Sequence, residues 1–431
     1  MSRSALKTIQ AAAGGASDPV YVDDVFSTYV YTGVYSNTDI VNGIDLAGEG
    51  GLVWTKRRNS TRSHDLSDTE RGVTKSLYSS NSDAQGTDSQ GLLAFNSNGY
   101  RIGGSSSYNN TNDDYVSWTF RKQPGFFDIV TYTGNGTAGH AVSHNLGSVP
   151  GMILIKNLTG ESWLVYHRGI GNTKSLTLNT TAAEDTSIAY FNNTDPTSTH
   201  FTLGTVGSGG VNNENGVSYI AYLFAHDAQD FGTDSDEAII KCGSYTGNGS
   251  STGPTIDLGF EPQWLLIKKA TGSAEAWVMH DNMRGIVTGG NDPQLQADSS
   301  SAEWSGSTNI DLTATGFKLT SSSAQYNQSS QTYIYMAIRR PHKPASEFAA
   351  TDLFTPVLGL NASANGKVFA TTYPVDLSIG KEKDGGNSWY TFDRMRGGGN
   401  YIFTNANNAE SSLAYQDQFD HMDGLYTTNG Y

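Results

Sequence analysis

A pattern of about 100 residues recurs three times along this chain, and most of a fourth copy follows. Tyr31-Thr32-Gly33 returns as Tyr132-Thr133-Gly134 and as Tyr245-Thr246-Gly247. An apolar run ending in lysine comes next, at Lys56, Lys156 and Lys268, with a weaker counterpart at Lys381. Asp-x-x-Arg-Gly then appears as Asp68, Arg71 and Gly72, as Asp281, Arg284 and Gly285, and as Asp393, Arg396 and Gly397, while the second module reads Tyr166-His167-Arg168-Gly169. Each full module closes on an alternating aromatic run, Tyr115 to Phe120, Tyr219 to Phe224 or Tyr333 to Ile338. One active site rarely needs three copies of its scaffold, so repeated modules point to an assembly or binding protein.

The repeats place the boundaries: an N-terminal arm over 1–23, modules over 24–124, 125–234 and 235–345, and an incomplete module over 346–431. At 431 residues the chain exceeds what one core usually serves. Charged residues are only 16%, aromatics reach 11%, and Gly, Ser, Thr and Asn abound, a mixture that favours strands and turns over helices. The expected fold is all-β, with tandem β-sandwich modules of jelly-roll type. Connections such as Gln123-Pro124-Gly125 are short, so consecutive modules should sit together as a stiff rod or a compact cluster.

Several function classes are disfavoured. A formal net charge of -15 opposes phosphate backbones and anionic membrane surfaces, so nucleic acid is not an expected partner. The first residues show no basic region followed by an apolar core, and no apolar run approaches spanning length, so neither the secretory route nor membrane insertion is expected. Cys242 is the sole cysteine and cannot form an intrachain disulfide, and nothing suggests a nucleophile at that position. His140 and His144 have a zinc-helix spacing but sit in Gly-His-Ala-Val-Ser-His-Asn, a strand or loop context without the glutamate. The acidic cluster at Asp230, Asp234, Asp236 and Glu237 does not follow a calcium-loop order. No catalytic residue, metal or cofactor is therefore assigned.

The Asp-x-x-Arg-Gly element is read as structural: each Asp accepts from its own Arg across a turn whose Gly takes a positive φ. On that reading His167 is tolerated drift, and the repeat-matched Trp163, Trp277 and Trp389 belong to the core. Outside the repeat, Ser4 to Ala13 has the content of a short helix, marginal alone, and Gly14-Gly15 supplies a hinge, which suits an arm docking into a larger particle. The fourth module reaches Tyr431 before any closing aromatic strand, so either another chain completes it or the polypeptide continues.

Thr-Tyr-Thr-Gly-Asn-Gly at 131–136, Gly-Phe-Glu-Pro-Gln-Trp-Leu-Leu-Ile-Lys at 259–268 and Asp-Thr-Glu-Arg-Gly-Val-Thr-Lys-Ser-Leu-Tyr-Ser-Ser-Asn at 68–81 resemble the repeat of virion proteins of tailed bacteriophages of marine bacteria, notably cyanophages. Tyr21-Val22-Asp23-Asp24-Val25-Phe26-Ser27-Thr28 resembles the opening of such proteins. The resemblance implies a non-enzymatic structural protein located in the virion, of tail fibre or spike type, serving host attachment. It implies other virion proteins as partners through the N-terminal arm, a homo-oligomer with three chains favoured, and a host surface glycan or outer-membrane protein as receptor. A head-decorating or tail-connecting protein is the alternative within that class, and a surface-polysaccharide depolymerase the alternative outside it.

Overall fold

In the computed structural model the described residues are 18–343, 353–357, 367–371, 373–382, 385–412, 417–422 and 424–427. The short helix and Gly14-Gly15 hinge expected in the arm lie outside them. The described residues are all-β, with helices of at most four residues, and no helix among them is long and apolar enough to cross a membrane.

The first module contains β1 (Phe26–Thr32), β2 (Thr38–Val41), β3 (Gly51–Arg57), β4 (Asp65–Asp68), β5 (Lys75–Ser76), β6 (Gly86–Thr87), β7 (Leu92–Asn96), β8 (Gly99–Ile102) and β9 (Asp114–Arg121). The second contains β10 (Phe127–Thr133), β11 (His140–Ser143), β12 (Met152–Asn157), β13 (Leu164–His167), β14 (Lys174–Thr177), β15 (Asp185–Thr186), β16 (His200–Leu203) and β17 (Ser218–Phe224). The third contains β18 (Ile240–Thr246), β19 (Thr255–Asp257), β20 (Pro262–Lys269), β21 (Val278–Asp281), β22 (Leu295–Gln296), β23 (Ile310–Thr313), β24 (Gly316–Leu319) and β25 (Thr332–Arg339).

Each module winds as a jelly roll. Its first strand pairs with its last (β1 with β9, β10 with β17, β18 with β25), and its second with its penultimate (β2 with β8, β11 with β16, β19 with β24). The large sheets therefore run β1-β9-β3-β4, β10-β17-β12-β13-β14-β15 and β18-β25-β20-β21-β22, each with a small sheet opposite. The closing strands lie between first and third strands and are buried on both faces, which is why they read as unbroken apolar and aromatic runs.

The two faces of those strands serve different cores. In β25, Tyr333, Tyr335 and Ala337 pack inside the module, whereas Ile334, Met336 and Ile338 point into a cluster joined by all three modules. Val116, Trp118 and Phe120 of β9 enter the same cluster, as do Tyr222 and Phe224 of β17. Phe120 meets Phe224 edge-on with ring centroids 5.5 Å apart and Trp264 at 6.0 Å, so aromatic contacts link all three modules. The compact arrangement is thus three sandwiches sharing one central core.

The chain locks this body at its ends. Tyr21 packs edge-on against His342 at 5.3 Å, and the Asp23 carboxylate accepts from the backbone N–H groups of His342 and Lys343, both at 3.1 Å. The last residues of the expected arm are thus part of the packed body.

The C-terminal unit repeats the module in part: β26 (Lys367–Ala370), β27 (Leu377–Gly380), β28 (Tyr390–Asp393), β29 (Asn400–Phe403), β30 (Ser411–Ser412), β31 (Asp417–Gln418) and β32 (Gly424–Thr427). They form sheets β26-β32-β31 and β27-β28-β29-β30 around Phe392, Tyr401, Phe419 and Leu425. This unit is tied to the main body where Met395 O accepts from Thr288 N at 2.8 Å and Arg58 meets Asp420 at 2.9 Å.

Candidate functional site

The repeated residues converge on the junctions between modules. Lys156 Nζ donates to Ser82 O of the first module at 3.1 Å, Lys268 Nζ to Thr181 O of the second at 2.9 Å, and Lys56 Nζ to Ser300 O of the third at 3.4 Å. Each acceptor lies five residues beyond the equivalent leucine, Leu77, Leu176 or Leu295. The backbone follows the same cycle: Gln85 N donates to Leu158 O, Glu184 N to Ala270 O, and Glu303 N to Arg58 O. Second grips first, third grips second, and first grips third, so the three modules close a pseudo-threefold ring. All three lysines are buried, and burial brings each down to about 8 against the opposing pull of nearby carboxylates, Glu303 for Lys56, Asp83 for Lys156 and Asp298 for Lys268.

The tryptophans mark the same contact. Trp163 Nε1 donates to Tyr78 O at 2.9 Å and Trp277 Nε1 to Thr177 O at 3.0 Å, again one module back. The first module has His64 in that place, lying against the Gln296 backbone and accepting from Trp54 Nε1 at 2.9 Å.

The Asp-x-x-Arg-Gly element is a local turn and also part of this junction. Asp68 accepts from Arg71 N at 2.9 Å and Arg71 Nε at 2.6 Å, and Asp281 from Arg284 N at 2.8 Å and Arg284 Nε at 2.6 Å. Gly72, Gly285 and Gly397 have φ of 82°, 109° and 78°, where an L side chain is strained. The remaining acceptor capacity of each buried Asp goes to a neighbouring module: Tyr222 OH donates to Asp68 at 2.7 Å and Trp118 Nε1 to Asp281 at 3.0 Å. Around the second of these, Glu303 joins Arg58 at 2.8 Å and Arg284 at 3.0 Å. Burial alone would raise the Glu303 carboxyl, but the two guanidinium groups overcome it and hold it at about 2. Asp393 and Arg396 pair as well, at a partly exposed site.

The second module requires two corrections to the sequence reading. Strand register equates His167 with Asp68 and Asp281, since they face Met152, Leu52 and Trp264 across the hairpin. The copy is therefore His167 to Gly171, with Ile170 in the Arg position and Gly171 at φ 80° in the Gly position. Nor is His167 drift. The donor position occupied by Trp118 and Tyr222 is Met336 in the third module, which has no hydrogen to give, and His167 Nε2 instead donates to Tyr335 O at 3.1 Å. Asp, Arg and the facing donor are replaced together, which leaves no buried ion without partners.

Another repeated residue escaped the sequence reading. Asn109, Asn213 and Asn327 are buried, and their Oδ1 atoms accept from Val34 N at 2.8 Å, Asn135 N at 2.9 Å and Asn248 N at 2.8 Å. The signal was present, an Asn six residues before each closing Tyr. The Gly of Tyr-Thr-Gly is needed beside it, because a Cβ on Gly33, Gly134 or Gly247 would lie 2.1 to 2.3 Å from a carbonyl oxygen.

The other candidates go elsewhere. His140 Nδ1 bonds Asn213 Oδ1, while His144 Nδ1 accepts from Leu146 N. Among the described residues no group of three or more His, Cys, Asp or Glu side chains is placed to hold a metal. Cys242 is buried, and burial raises its thiol well above the ordinary range. A cavity of about 370 Å³ separates the third module from the C-terminal unit, but its arginines are engaged: Arg394 pairs with Asp376 and Arg396 with Asp393. A second cavity, of about 390 Å³, is lined by Gln294, Gln296, Ser301, Gln325 and the 48% exposed indole of Trp304.

Residues 22–341 match a family described as a domain of unknown function, DUF7483. The chain belongs to that family. The matched span begins at the Val22 turn and ends beside His342, so it covers all three modules as one unit. No curated protein and no solved structure matches the chain.

Proposed function

We propose that this chain is a non-enzymatic structural protein of a bacteriophage virion, of the tail fibre or spike apparatus, that attaches to host surface glycan. The observation that carries this reading is the division of labour among its polar residues. In the three full modules the repeated Lys and Trp groups and the Asp68 and Asp281 turns are engaged in holding modules together, whereas Trp304 has no aromatic counterpart in the first two, where Gly86 and Asp185 occupy the equivalent position. An exposed indole beside amides and a hydroxyl offers a sugar a flat apolar face to stack on and donors and acceptors for its ring hydroxyls. The sequence resemblance supplies the virion setting.

Purified protein titrated with host envelope polysaccharide should bind it, Trp304→Ala should abolish the binding at unchanged melting temperature, and no reducing ends should be released. Release of reducing ends would favour a depolymerase, and wild-type binding that survives Trp304→Ala would remove the cavity from the reading.

A further inference from the structure

The C-terminal unit carries a copy of the face by which the other three modules pack together, and among the described residues that copy is exposed. Pairing of Leu377 with Asp393 sets its register, making Leu377 equivalent to Leu52, Met152 and Trp264, and Ile379 equivalent to Trp54, Leu154 and Leu266. All six of those residues are buried in the shared core. Leu377 and Ile379 are instead 54% and 53% exposed. Trp389, expected in the core, is 44% exposed, although its counterparts Trp163 and Trp277 are buried against a neighbour. Lys381 keeps the local half of the lysine contact, donating to Asn387 O at 2.5 Å as Lys268 does to Glu275 O at 2.6 Å, but among the described residues it meets no carbonyl of another module.

We propose that this face is an assembly surface occupied by the same unit of other copies of this chain, three units closing a ring like the one the first three modules form. The occupant follows from the protein itself. In all three full modules the face is covered by another module of the same kind, and the cycle closes after three. The ring geometry also assigns the contacts. Phe403 stands where Tyr78, Thr177 and Gln296 stand, and Asn407 where Ser82, Thr181 and Ser300 stand. Trp389 of one copy should therefore reach Phe403 O of the next, and Lys381 should reach Asn407 O. This inference does not depend on glycan attachment, and each can fail alone.

The test uses the full chain. Sedimentation equilibrium should give three times the chain mass, and Ile379→Asp should return it to one, with the circular dichroism and main melting transition unchanged because the residue is exposed. Val41→Asp, on the exposed face of β2, should leave the trimer intact. A photo-cross-linker in place of Trp389 should join the segment Phe403 to Asn407 of a second copy. A wild-type chain that stays monomeric, an oligomer indifferent to Ile379→Asp, or cross-links confined to one chain would each overturn the proposal.

Discussion

The hydroxyl of Tyr222 donates to the Asp68 carboxylate at 2.7 Å, from 154 positions further along the chain. The equivalent pair between the third and second modules is Met336 and His167, neither of which carries a charge in this neutral, buried setting. A junction ion is therefore kept where the facing module can donate to it and removed where it cannot.

Transplanting the charged version into the second module should show this coupling. His167→Asp alone should lower stability by about 3 to 5 kcal/mol, the cost of a buried ion without its partner. Adding Ile170→Arg and Met336→Tyr should restore most of the loss, as read by urea denaturation. A triple variant no more stable than the single one would show that the three positions do not act together.

The Asp-x-x-Arg pairs should differ in strength with burial. Asp281→Ala leaves the buried Arg284 guanidinium with Glu303 as its remaining carboxylate and the Trp118 indole N–H without its acceptor, and should cost about 2 to 3 kcal/mol. Asp393→Ala acts on a pair whose side chains are 21% and 23% exposed, and should cost about 1 kcal/mol or less. Equal losses in chemical denaturation would contradict this ranking.

The shared core predicts a single unfolding event for the three modules. Calorimetry of the full chain should show one transition covering them, with calorimetric and van't Hoff enthalpies in agreement. A fragment of residues 24–124 should not fold alone, because it would present Leu52, Trp54, Trp118 and Phe120 to water, each worth about 1.5 to 3 kcal/mol when buried. Three separate transitions would mean that each module is stable by itself.

Acid should weaken the fold through its buried histidines. Burial lowers His167 and His280 to about 3, against 6.5 in the unfolded chain. Between those values the unfolded chain binds more protons, so stability is full above pH 6.5 and declines as pH falls toward 3. Replacing His280, which bonds Tyr326 OH at 2.8 Å, by Gln should flatten the slope of stability against pH in that window. An unchanged slope would remove His280 from the account.

Strands and turns were legible because their signals are local. Tyr31, Tyr132 and Tyr245 each stack on the closing Tyr of their own module, and the period of the chain exposes them. Ring closure was not legible, because Lys56 and its acceptor Ser300 lie in different modules and a lysine after an apolar run does not name its acceptor. In the second module Arg168-Gly169 offers a false match to Asp-x-x-Arg-Gly, whereas the true copy keeps only its glycine, Gly171. Trp389 is the converse case: its sequence context matches Trp163 and Trp277, and only its exposure sets it apart.

Joining three modules in one polypeptide frees each position from symmetry. In a ring of identical subunits a substitution enters every junction at once, so exchanging Asp for His would have to suit three settings together. Here the second module carries His167 and Ile170 where the first and third have an ion pair, and a tryptophan stands at position 304 with none at 86 or 185. Covalent linkage makes the three junctions independent of one another, and mutational scans should find tolerated substitutions differing from one module to the next at matched sites.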